Sequence, residues 1–154
     1  WSWSRGLGDV YKRQALRKIY EIMSDKGVCI LHTIGSILPP QPNAPFIQRY
    51  IFPDGEIPHE SDMAKNIEKS GLIMSDRETL IRHYDKTLEA WLNRFLKNKH
   101  IVKDLFDQKF VKMWEFYLAS CSAAFKYRDL VVFQYQLVKN FDAIPSNRRD
   151  YIYS

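Results

Sequence analysis

Residues 26–36, read KGVCILHTIGS, constrain the fold of this chain more than any other stretch. Gly27 is expected to close a preceding helix in the left-handed conformation. The unbroken apolar run at 28–31 then has the length of a strand buried on both faces, a property of parallel sheets. In open parallel sheets ligands sit beyond the carboxyl ends of the strands. His32 falls at that end, where the chain leaves for Gly35 and a proline-rich segment, and an imidazole so placed is poised for acid–base work. The competing reading is a strand-end histidine that only hydrogen-bonds the next loop.

The flanking sequence alternates in kind. Leu16, Ile19, Tyr20 and Met23 recur at helical spacing, and residues 24–27 end that helix. After the strand, Pro39, Pro40, Pro42 and Pro45 remove backbone donors and predict a loop. Residues 46–52 suit a short helix, and 52–58 a turn centred on Asp54 and Gly55. Ser61 reads as an N-cap, with Asp62 in the first turn, Met63 and Ile67 inward and Gly71 at the close. Residues 72–74 and 80–81 suggest a second strand. Helix and strand in alternation predict an α/β fold. Two long helices follow. Tyr84, Leu88, Trp91, Leu92 and Phe95 stripe the first; Phe110, Met113, Trp114, Tyr117, Cys121 and Ala124 stripe the second, over about 107–127. The second stripe is core by period alone, or a greasy cover over the site able to hold an acyl chain. Residues 130–138, with Phe133, Tyr135 and Leu137 alternating against Gln134 and Gln136, close the sheet. Residues 140–154 show no period and are expected to be a mobile tail.

Composition narrows the function. The 154 residues suit one domain, and 45% hydrophobic with 14% aromatic content suffices for a core. No apolar run has the length of a membrane span, and the start carries no secretory signal. Cys29 and Cys121 lie far apart within apolar runs, as reduced core thiols of a cytoplasmic protein do. His32, His59, His83 and His100 lack metal-ligand spacing, so no metal site is expected. Of the five net positive charges, two come from Arg5, Lys12 and Arg13 against Asp9. That first segment, 1–14, has no period; its DVYKRQ resembles a translated sequencing adapter and is set aside as non-native. The remaining charge is scattered along helices, which argues against a nucleic-acid partner and allows weak attraction to anionic lipid heads.

Over about 15–139 the chain resembles the C-terminal part of the cyclopropane-fatty-acyl-phospholipid synthases and the related mycolic-acid cyclopropane synthases. The resemblance rests on CILHTIGS (29–36), YIFPDGEIP (50–58), HYDKTLEAW (83–91), LNRFLKN (92–98), FVKMWEFYLASCSAAF (110–125) and DLVVFQ (129–134), in family order and at family spacing. It implies the C-terminal part of a doubly wound, Rossmann-like methyltransferase sheet, with a helical insertion, a lid at about 83–128, before the last strand. It also implies S-adenosylmethionine as methyl donor, a cis double bond of a phospholipid acyl chain as acceptor, and bicarbonate as the base that lets the cyclopropane ring close. The family's bicarbonate holders match His32 through its side chain, Ile34 through its backbone and Tyr84 through its phenol. Trp114, Tyr117 and Cys121 would line the substrate. No cofactor-binding residue is assigned within these residues, since no glycine-rich turn follows a strand before residue 28.

The implied location is cytoplasmic, peripheral at the inner membrane, with a second copy of the chain an allowed partner. A sheet of about three strands leaves an edge unpaired, so the polypeptide is expected to be a poorly stable fragment, inactive alone. Two alternatives stand beside the synthase. One is another methyltransferase of related fold, branching fatty acids or methylating a small-molecule nitrogen; the other is a noncatalytic lipid-binding or partner-binding module.

Overall fold

The computed structural model describes residues 5–39, 41–53, 55–146 and 148–152, and for residues 5–10 and 152 the course of the backbone alone. Three layers make up the fold. A three-stranded sheet, order β1-β3-β2, is built from β1 (Val28–Ser36), β2 (Ile73–Leu80) and β3 (Leu130–Val138). β3 runs antiparallel to both neighbours, so β1 and β2 point the same way on either side of it. Helices α1 (Arg5–Ile22) and α3 (Glu60–Ser70) cover one face, where Leu16, Met63 and Ile67 meet Val131, Phe133, Tyr135 and Leu137. Helices α4 (His83–Lys97) and α6 (Gln108–Tyr127) cover the other, where Leu88, Leu118 and Phe125 meet Val132. The short α2 (Pro45–Tyr50) lies in the loop after β1, and α5 (Lys99–Leu105) joins α4 to α6.

The strand buried on both faces is β3, not β1. Nearly every residue of β3 is buried, whereas Val28, Ile30 and His32 of β1 are exposed and Cys29, Leu31 and Thr33 half-buried. β1 is an edge strand in an antiparallel pairing, and His32 stands at its middle, opposite Gln134, rather than at its end. An apolar run reads the same whether one face or both are covered, because the covering comes from elsewhere in the chain. Gly35 has a steric reason to be glycine: a Cβ there would lie 2.4 Å from the Phe133 ring and 3.1 Å from the Pro58 carbonyl.

Other boundaries shift for local reasons. α1 begins at Arg5, so residues 5–14, set aside on period, continue the helix; residues 1–4 lie outside the described residues. His59, not Ser61, caps α3, its Nδ1 accepting the Ser61 N–H at 3.2 Å. Gly71 closes that helix at φ 86°. The turn at 52–58 is present, Gly55 donating to the Phe52 carbonyl at 3.0 Å, while Asp54 and the loop's Pro40 lie outside the described residues. The second strand is continuous, with an irregularity between Met74 and Asp76. Described residues of the expected mobile tail make contacts with the body: Asn140 donates to the Asp25 carbonyl (3.1 Å), Arg149 pairs with Asp76 (2.7 Å), and Gln136 donates to the Tyr151 hydroxyl (2.9 Å).

Tyr135, 1% exposed, buries a hydroxyl with no hydrogen-bond partner among the described residues. Burial pushes that phenol from 10.0 up to about 12, with Arg77 pulling it down and Glu60 up. The fold thus favours the neutral form. The stability this contributes is complete below pH 10 and is lost as the pH rises through about 12. Tyr135→Phe keeps the ring and deletes the orphaned oxygen, so urea midpoints should rise by about 1 kcal/mol equivalent at neutral pH and fall less between pH 9 and 11. A lower midpoint at pH 7 would show that the hydroxyl is satisfied.

Candidate functional site

The even-numbered residues of β1 face the α4–α6 layer, and there Ile34 joins a cluster with Tyr84, Trp114, Tyr117 and Cys121. Five of the six residues singled out from the sequence therefore meet around one core. The sixth, His32, lies two positions before Ile34 on the same face, outside that core and exposed.

The backbone of Ile34 is turned outward. Ser36 donates its N–H to the Pro58 carbonyl at 3.0 Å, away from β3, while Ile37 donates to the Asp129 carbonyl at 3.2 Å. By the two-residue alternation of a strand, the amide of Ile34 points to the same outer edge as that of Ser36. The Thr33 hydroxyl donates to the Ile34 carbonyl (3.0 Å) and leaves the N–H as the group offered there.

Among the described residues His32 makes no hydrogen bond to the following loop. Its Nδ1 meets the amide nitrogen of Gln134 at 3.1 Å. With the amide nitrogen as the donor, Nδ1 accepts, and Nε2 is left as the ring nitrogen open to a ligand. Gln134 was legible in the sequence only as a polar step in the alternation of the last strand.

Tyr84 owes its place to a sharp entry into α4. Arg82, at φ 62°, is the one non-glycine residue with positive φ among the described residues; it turns the chain out of β2, and His83 Nδ1 meets the Ile81 carbonyl at 2.9 Å. A left-handed arginine carries backbone strain of the order of 1 kcal/mol, held by the packing on either side. The Tyr84 ring then lies 4.9 Å from Phe125 and 6.0 Å from Trp91, between centroids.

The α6 stripe is rotated by about one residue from its expected phase. Val111, Leu118, Ser122 and Phe125 are its buried positions, while Trp114, Tyr117 and Cys121 are half-buried and line the flank towards β1. Asp85, which helical spacing puts off the apolar stripe of α4, is buried and accepts the Ser122 hydroxyl at 2.6 Å, stitching α4 to α6. Burial pushes Tyr117 up to about 12, with smaller pushes from Cys121 and Tyr84. Burial likewise raises the Cys121 thiol, against a lowering hydrogen bond from Ser120. The flank is thus neutral and apolar at physiological pH.

An aromatic ladder leads away from it along α6. Tyr117 is 5.1 Å from Trp114, Trp114 stacks 6.0 Å from Phe110, and Phe110 stacks 4.3 Å from Phe106, again between centroids.

Comparison with known proteins shows what the chain as a whole is similar to. Residues 9–135 match the family model described as mycolic acid cyclopropane synthetase. The cyclopropane-fatty-acyl-phospholipid synthase of Escherichia coli K12 is 35% identical over 112 residues, covering 73% of this chain and 29% of that protein. The probable fatty acid methyltransferase of Pseudomonas putida is 41% identical over 81 residues, 53% of this chain and 21% of that one. The chain spans less than a third of the length of these curated relatives. In fold it is similar to the cyclopropane synthase MmaA2 from Mycobacterium tuberculosis, with TM-score 0.77 at 22% identity over 84% of this chain and 50% of that one. A mycolic acid cyclopropane synthase solved with SAH and CTAB gives TM-score 0.76 at 23% identity, covering 83% and 50%.

Proposed function

Since the chain belongs to the mycolic acid cyclopropane synthetase family of S-adenosylmethionine-dependent methyltransferases, we propose that it forms part of an enzyme adding a methylene across the cis double bond of phospholipid acyl chains. The observation that carries this reading is the meeting of Ile34 and Tyr84 with the neutral flank of Trp114, Tyr117 and Cys121, beside an outward-facing His32.

An acyl chain is uncharged and needs an apolar wall free of competing nucleophiles. Trp114 and Tyr117 supply the wall. Cys121, held in the thiol form by burial, is a poor nucleophile and lines rather than reacts. A base of the bicarbonate kind needs a few fixed donors at the edge of a dry surface. The donor set fits: the open Nε2 of His32, the edge-facing N–H of Ile34 and the phenol of Tyr84 would hold such an anion, which would accept the proton lost on ring closure. What these residues do is orient it, with Gln134 holding the His32 ring through Nδ1.

The residues present do not fit the methyl donor in the same way. Binding it calls for a glycine-rich turn at a strand end. Gly35 lies inside β1 beneath Phe133, and Gly27, Gly55 and Gly71 follow helices, so none forms that cradle. The donor's chemistry lies outside what these residues perform.

The test is product analysis with the protein that carries this chain, S-adenosylmethionine and vesicles of monounsaturated phospholipid. Acyl chains one CH2 heavier and without a double bond or branch are expected. A methyl-branched product would support the second reading, which the names of the Pseudomonas putida relative and of the tuberculostearic acid methyltransferase of Mycobacterium tuberculosis favour. Methylated amine with unmodified acyl chains would overturn both.

A further inference from the structure

The corner where α4, α5 and α6 meet combines two features not used by the site itself. Leu105, 71% exposed, Phe106, 51%, and Ile101, 48%, form an apolar tip. Around it stand the exposed Lys97, Lys103, Lys109 and Lys112, set against Asp104 and Asp107. Among the described residues the one ion pair on this corner is Lys99 with Glu115, so the other lysines keep their charge for an outside partner. Apolar side chains ringed by uncommitted lysines are the composition of a segment that enters the head-group boundary of an anionic bilayer.

A protein partner would account for the tip equally well, but not for what lies behind it. Phe106 begins the aromatic ladder that runs through Phe110 and Trp114 to Tyr117, beside Cys121 and Tyr84. We propose that this corner docks on the surface of an anionic lipid bilayer, with Leu105 and Phe106 inserted and the lysines on the phosphates, so that the ladder gives an acyl chain an apolar path to the site. The inference rests on reading that site as one for lipid acyl chains.

Flotation with vesicles of phosphatidylglycerol and phosphatidylethanolamine, against phosphatidylcholine alone, tests it without turnover. Binding to the anionic vesicles is expected, weakening as salt rises. Lys103→Ala with Lys109→Ala should weaken it about 25-fold, roughly fivefold for each lysine. Leu105→Ser with Phe106→Ser should weaken it at least about tenfold. Ile30→Ser, which removes an equally exposed apolar residue from the edge of β1, should change nothing. Circular dichroism checks folding of each, and the lysine pair, being wholly on the surface, keeps the test decisive if the apolar pair unfolds. Unaltered vesicle binding in both double variants overturns the proposal. So does conversion of a dimer to a monomer by Leu105→Ser/Phe106→Ser with vesicle binding retained, which would make the corner a self-interface. Vesicle binding lost in the variants but no modified acyl chain in the parent would refute the proposed reaction and uphold the docking surface.

Discussion

His32→Gln in the protein that carries this chain is expected to lower formation of the modified acyl chain by about 10²–10³-fold, the range for removing one preorganised hydrogen-bond donor. The geometry sets the direction. Gln134 holds the ring through Nδ1 and leaves Nε2 open, beside the edge on which Ile34 offers its amide. Glutamine has a similar reach, but its amide can satisfy Gln134 in either orientation and no longer presents one fixed donor. If the reaction passes through a cation that must lose a proton, the base drifts and turnover collapses with little change in substrate binding, a loss in kcat rather than in KM. If the methyl goes directly to a nitrogen, no such base is needed and the rate should hold within a few-fold. His32 lies on the sheet, apart from the apolar tip of α5, so vesicle binding should be untouched in either case. Quantifying acyl product by mass spectrometry under single-turnover conditions separates the two outcomes.

The same residue shows what the sequence conveys and what it withholds. Residues 28–31 announce a strand, and the strand is there. They do not announce its neighbours, and the expectation of a parallel strand buried on both faces fails because β3, about a hundred positions away, pairs with it antiparallel and the covering helices leave it half-exposed at the edge. β3 itself misleads in the opposite sense. Its Gln136 reads as a solvent-facing step, yet it is buried, since Ser75 and Tyr151 satisfy its amide. Asp85 and Ser122 repeat the lesson across two helices: each is polar on a helical wheel and each is buried because the other is opposite. Period assigns a polar residue outward unless a partner is known, and partners distant in sequence carry no period. Elements whose signals are local fared better. Gly71 ends α3, α6 starts at Gln108 close to the expected 107, and Met63 and Ile67 face inward. For the candidate site, the cluster of Ile34, Tyr84, Trp114, Tyr117 and Cys121 was legible through family motifs at their spacing. The orienting role of Gln134 was not, because cross-strand register fixes it.

Leu88→Ala is expected to cost about 2–5 kcal/mol, the range for emptying a well-packed core position. The sequence stripe treats Leu88 and Trp91 as equals. The structure does not: Leu88 is 1% exposed and packs with Leu118, Phe125 and Val132, whereas Trp91 is 39% exposed at the rim. Trp91→Ala should therefore cost much less than its larger volume suggests, with Tyr84 losing a ring neighbour at 6.0 Å between centroids. A loss of several kcal/mol is a large part of the stability of a domain this size, and here it falls on the contact between α4 and α6. Tyr84 sits one turn before Leu88, and Asp85 is buried between the same helices, so loosening this contact would release the phenol and expose the Asp85–Ser122 hydrogen bond to water. Urea unfolding read by far-ultraviolet circular dichroism checks the prediction: a markedly lower midpoint at unchanged slope for Leu88→Ala, and a small shift for Trp91→Ala. Equal shifts for the two would mean that α4 rests on its rim as much as on its core. The lid would then be a loosely laid cover rather than a layer that fixes Tyr84 against β1.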